Sequence, residues 1–177
     1  HDRKTIAEKS FPESQQIENV NQSNVSSLHD LTIENDNMEL EILSSVTIIL
    51  RFFSDDHVCA KQMLDSQILN SIVPIFKNKS IPNQSYHRLL IILENIITKI
   101  PPSSFAGDLH TPDVIFCRLG GVKAFLKAFH NHNRLPESQM YFARVIANLC
   151  NSSRKIGRAI MSEGGGYTVF TIFMQTT

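Results

Sequence analysis

Tryptophan is absent from the 177 residues, and glycine and proline are scarce at seven each. No stretch approaches the roughly 20 consecutive apolar residues that a membrane-spanning helix needs. No signal peptide is visible either. There are three cysteines, Cys59, Cys117 and Cys150, and no two are spaced as a CxxC pair. An odd number of thiols, each set in an apolar pattern, reads as buried, reduced cysteine. That argues against a disulfide scaffold and for a reducing, cytoplasmic compartment, the nucleus being the alternative. The five Asn-x-Ser sequons, at Asn21, Asn24, Asn78, Asn83 and Asn151, read as chance in so Asn/Ser-rich a chain. The chain starts at histidine, which reads as a piece of a longer protein.

Net charge is also missing, since 17 basic residues balance 17 acidic ones. The balance hides an asymmetry. Residues 1–43 carry nine acids and three bases, net −6, whereas residues 114–177 carry eight bases and two acids, net +6. A basic face and an acidic segment of opposite sign follow, and the segment 8–41 could meet that face within the molecule.

What is present is apolar periodicity, with 42% apolar residues to build a core. Residues 1–37 stand apart as a polar, acidic tail or linker, with room for a short helix at Ser27–Ile33. From Met38 to Thr177 every stripe has a period near 3.6. Leu43, Val46, Leu50 and Phe53 form one such stripe, and Leu69, Ile72, Val73 and Phe76 another. A long stripe runs from Tyr86 through Leu89, Leu90, Leu93, Ile96 and Ile97 to Ile100. Val122, Phe125, Leu126 and Phe129 repeat the pattern, and so do Ala143, Ile146, Ala147 and Cys150. Pro82, Pro112 and Pro136 fall where helices should begin, positions at which a missing amide costs nothing. Thr111 reads as an N-cap accepting from first-turn amides, and Pro101-Pro102 as the stop of the long middle helix. No period-2 run suggests a strand, so the fold class is all-α.

The chain also resembles itself. Leu50–Gln67 aligns without a gap on Ala147–Gly164, and a middle copy lies at offsets of 44 and 53 residues. Each copy reads as a long helix, a short helix, a break of small residues, then another helix. Repeat starts are expected near Asp56, Thr111 and Ser153, at the short helices. The breaks are Ser66-Gln67, Gly120-Gly121 and Gly164-Gly165-Gly166.

Two motifs carry a resemblance. Leu119-Gly120-Gly121-Val122-Lys123-Ala124-Phe125-Leu126 resembles the junction of the first two helices of an armadillo repeat. Ala143-Arg144-Val145-Ile146-Ala147-Asn148-Leu149-Cys150 resembles that family's A-x-x-L-x-N-L third helix. The likeness spans residues 38–177. It is strong over 112–150, fair for the opening at Glu163, and weak over 55–100. It implies a right-handed superhelical solenoid of about three stacked helical repeats, a non-enzymatic module that docks a protein segment on a concave groove. Asn148, with Asn95 and Arg51 at the matching positions, would grip an extended backbone. Arg144, one turn earlier, would favour an acidic ligand. The plain alternatives are that Asn148 caps its own helix and that the arginines lie on a solvated outer face. The nuclear-import branch of the family uses a tryptophan at that preceding turn. Here Thr47, Ile91 and Arg144 stand there, which argues against a basic nuclear signal as ligand.

Other chemistries find little support. His130-Asn131-His132 lacks a third ligand and reads as a polar loop, so no metal or other cofactor is expected. Asp55-Asp56-His57 reads as a helix cap. No nucleophile elbow and no phosphate loop occur. Phe116, Phe125, Phe129 and Phe142 fall in core stripes and away from the basic residues, which disfavours nucleic acid. The partner is therefore expected to be a protein or peptide, acidic and extended or helical, held by an adaptor or scaffold. A regulatory armadillo-like domain of a larger formin- or exchange-factor-like protein is the second reading. Two further expectations concern residues. Phe170, Phe173 and Met174 should be partly bare, with the chain continuing past Thr177. Asn148→Ala and Arg144→Glu should leave the fold intact, because neither residue lies on an apolar stripe.

Overall fold

A computed structural model of the chain describes residues 37–100, 111–132 and 135–176. The acidic stretch before residue 37, the Ser27–Ile33 helix and Pro101-Pro102 lie outside the described residues. The chain divides into His1–Glu39 and Leu40–Thr177; the architecture below is that of the second unit.

The described residues are helical, with no strand among them. Helix α1 covers residues 37–55. It is followed by α2 (His57–Asp65), α3 (Ile68–Ile75), α4 (Asn83–Lys99) and α5 (Pro112–Arg118). Then come α6 (Gly121–His132), α7 (Pro136–Ser152), α8 (Arg154–Ser162) and α9 (Gly165–Thr176). The order long, short, break, helix occurs three times, as the self-similarity requires.

The three starts fall where expected. Asp56, Thr111 and Ser153 are the N-cap residues of α2, α5 and α8. Asp56 accepts the amide of Cys59 at 2.9 Å and Ser153 that of Lys155 at 3.2 Å. Thr111 makes no side-chain capping bond. There the fixed φ of Pro112 at the first helical position starts the helix without one. The breaks share one device. Gln67, Gly120 and Gly164 all have positive φ, at 60°, 73° and 89°. Glycine takes that conformation without penalty. At the next residue Gly121 packs so closely on Phe116 that a Cβ would lie 2.5 Å from the ring.

The long helices lie side by side. Ser44 of α1 meets Arg88 of α4, and Asp55 meets Lys99, both 44 residues apart. His87 of α4 meets Ser138 of α7 and Glu94 meets Arg144. A nearly constant offset along two helices means that they run parallel. Like therefore packs on like, at spacings close to the sequence offsets.

The core is one continuous cluster through Leu69, Phe76, Tyr86, Leu93, Phe116, Phe125, Phe142 and Leu149. Phe125 stacks on Phe142 at 4.4 Å and meets Phe76 edge-on at 5.6 Å. The stripes of α3 and α6 are buried throughout, and that of α4 is buried except at its last turn. Two stripes turn out differently. On α1, Val46 and Phe53 face out at 42% and 51% exposure, while Thr47 and Ser54 face in. Both polar side chains are satisfied by donating to backbone carbonyls of their own helix, Ser44 and Arg51 respectively. On α7 the buried row is Phe142, Val145, Ile146 and Leu149, and Ala147 and Cys150 are exposed. Small side chains gain little from burial, so the larger residues one position earlier set the helix's rotation.

Candidate functional site

The parallel packing of α1, α4 and α7 sets the sequence-derived site residues on neighbouring helices. Position 51 of α1, 95 of α4 and 148 of α7 correspond in the self-alignment. Arg51 is exposed, and Asn95 and Asn148 are half-buried. At the preceding turn Thr47 and Ile91 are buried and Arg144 is exposed.

Asn95 bridges helices. Its amide donates to the Ser54 hydroxyl at 3.0 Å and to the Asp55 carboxylate at 2.9 Å. Asp55 is also paired with Lys99 at 3.6 Å. The N–H groups of Asn95 are thus spent on holding α1 to α4. Asn148 differs. It sits within α7 and does not cap it, and among the described residues its amide has no partner. It lines an open cleft of about 290 Å3 with Ile97, Thr98, Asp113, Asn151 and Ser152.

Arg144 is bound to a residue that the sequence reading missed. Its Nε lies 2.6 Å from Oε1 of Glu94, whose side chain is only 4% exposed against 56% for Arg144. Burial pushes the Glu94 carboxyl above its ordinary value, and the Arg144 and Lys99 charges oppose that. The guanidinium also lies over the Tyr141 ring, 5.4 Å from its centroid. Tyr141 meets the imidazole of His87 edge-on at 5.4 Å, and His87 shares a 3.2 Å hydrogen bond with Ser138. Burial lowers the His87 pKa; Arg51 and Arg88 lower it further and Glu137 opposes them. A mid-helix glutamate within an apolar run was the one signal available for Glu94, and its partner 50 residues away was not readable.

This pair corrects the expectation that Arg144→Glu would leave the fold untouched. The substitution would set two carboxylates together, one of them buried. Breaking a fully buried pair costs about 3–5 kcal/mol, and the exposure of Arg144 to water should reduce that to about 2 kcal/mol.

Other expected features are placed as follows. His130 and His132 end α6 and do not form a loop, and His132 is buried against Tyr86 with ring centroids 4.9 Å apart. Among the described residues no cluster of three His, Cys, Asp or Glu could hold a metal ion. All three cysteines are free, but none is fully buried, and Cys150 is exposed. Burial pushes the Cys117 thiol up to about 11, and that of Cys150 is raised too. Cys59 is raised by its bond to Asp56. No thiol is therefore activated as a nucleophile. Phe170, Phe173 and Met174 are 60%, 62% and 59% exposed, as expected. Among the described residues no helix is long and apolar enough to cross a membrane.

No protein-family model matches this chain, and neither a curated protein nor a solved structure does.

Proposed function

We propose that the chain is a non-enzymatic protein-binding module, a section of an armadillo-type solenoid that docks an extended, acidic segment of another protein. The docking surface is the face shared by α1, α4 and α7. The observation that carries the reading is the amide of Asn148, half-buried beside an open cleft, one turn from Arg144 and without a hydrogen-bond partner among the described residues. A primary amide can donate to a carbonyl and accept from an N–H at once, so it can hold a peptide backbone of any sequence. Arg51 is exposed on α1, and a basic side chain there attracts an acidic strand and repels a basic one.

The like-on-like packing of α1, α4 and α7 supports the solenoid part of the proposal. A repeat unit cannot bury its own apolar face, and stacking copies does so.

Titration of a fluorescein-labelled peptide of alternating glutamate and serine, followed by anisotropy, tests the reading. Asn148→Ala should remove backbone hydrogen bonds worth ~0.5–1.5 kcal/mol each, weakening binding about two- to tenfold. Arg51→Glu should weaken it too, and more at low salt, where charges reach farther. Affinity that neither substitution changes would exclude this face as the docking surface.

A further inference from the structure

On the reading that this face docks an acidic strand, we infer that Glu94 limits its affinity for acids and couples docking to proton uptake. An incoming carboxylate that seeks Arg144 finds a guanidinium already held by Glu94 at 2.6 Å. Glu94 cannot swing away into water, because its side chain is 4% exposed and set in the middle of α4. The half-exposed guanidinium over Tyr141 must therefore be shared between two carboxylates. Two like charges around one cation repel, and the ionised form of the buried one is the more costly. The way out is protonation: Glu94 takes one proton from solvent as the ligand carboxylate becomes the partner of Arg144. Burial already disfavours the ionised form of Glu94, and a ligand carboxylate beside it acts in the same direction. By reciprocity, a ligand that raises the Glu94 pKa binds more tightly as pH falls.

The helices packed on α4 carry other charged and titratable groups. Helix α1 brings Arg51 and Asp55, the latter paired with Lys99 of α4 itself. Helix α2 carries His57, Cys59, Lys61 and Asp65. Helix α5 brings Asp113, Cys117 and Arg118, and α7 brings Glu137, Tyr141 and Arg144. On α4 the remaining titrating group is His87, which gains charge on acidification and would also attract an acid. A His87→Gln variant separates its contribution.

The same labelled peptide serves as probe, at about pH 7.5 and about pH 5.5, where its own glutamates stay mostly ionised. The wild-type chain should bind roughly threefold or more tightly at the lower pH, and His87→Gln should keep most of that gain. Glu94→Gln retains side-chain shape while removing the competing charge. It should bind about three- to tenfold more tightly than wild type at the higher pH, with little pH dependence left. Circular dichroism of each variant confirms that it folds. If Glu94→Gln binds no more tightly than wild type while Asn148→Ala and Arg51→Glu weaken binding, the inference fails and the docking face stands. If none of the four substitutions changes affinity, the face is not the site and both fall.

Discussion

Tyr86 and Gln67 show what individual residues cost this fold. Tyr86 is fully buried, and its hydroxyl has no hydrogen-bond partner among the described residues. A buried hydroxyl without a partner costs about 1–3 kcal/mol. Tyr86→Phe keeps the ring contacts with Phe76 and His132. It should raise unfolding stability by about 1 kcal/mol in a denaturant titration, and a loss of stability would show that the hydroxyl is satisfied. Gln67 stands at φ 60°, where the two later copies have glycine. The left-handed conformation costs a non-glycine residue ~1–2 kcal/mol, partly offset by the entropy that glycine adds to the unfolded chain. The hydrogen bond its side chain accepts from Asn70 is exposed and small. Gln67→Gly should therefore stabilise by about 0.5 kcal/mol, and Gly120→Gln should destabilise, both read as shifts in denaturation midpoint.

At the scale of an element, the short helices depend on their caps. Helix α2 has nine residues, too few to persist alone, and Asp56 secures its first turn through the Cys59 amide. That hydrogen bond is also the largest cause of the lowered Asp56 pKa. The lowered value fixes the sign of the pH effect. The folded state binds the Asp56 proton less well than the unfolded state does. Its contribution is thus complete above the ordinary value of 3.8 and is lost as pH falls through the lower folded value. Asp56→Ala should speed hydrogen exchange at the Cys59 amide near neutral pH and flatten the acid limb of the stability curve; unchanged exchange would remove the capping role. Helix α7 makes the complementary point. Its rotation follows Phe142, Val145 and Leu149, each fully buried, and not the small residues Ala143, Ala147 and Cys150. The repeat motif locates the helix, and side-chain volume sets its rotation.

Across the whole molecule, a single aromatic cluster ties the three copies together. Phe76 of the first, Phe116 and Phe125 of the second, and Phe142 of the third meet around Phe125. Phe125→Ala should cost about 3–5 kcal/mol, because neighbours drawn from three copies cannot all close on one cavity. The loss should appear as one cooperative transition at a lower midpoint. Separate melting of the copies would instead mean that the cluster does not couple them. Beyond the core, α1 leaves Ile42, Val46, Ile49 and Phe53 exposed along one side, and α9 does the same with Phe170 and Phe173.

The sequence by itself determined the helices, their order and their punctuation. Period-3.6 stripes, prolines at first turns, capping residues and small-residue breaks act over a few residues, and such local signals place starts at Asp56, Thr111 and Ser153 without a fold. Self-similarity went further and set which helices correspond. It did not say which polar groups would be spent on holding those helices together. Only the tertiary structure decided that Asn95 is committed to Ser54 and Asp55, that Asn148 is not, and that Arg144 answers a buried Glu94. The physical reason is distance along the chain. Each of these pairings joins residues 40 or more positions apart, and what fixes it is the register of one helix against the next. Side-chain contacts with no local signature set that register.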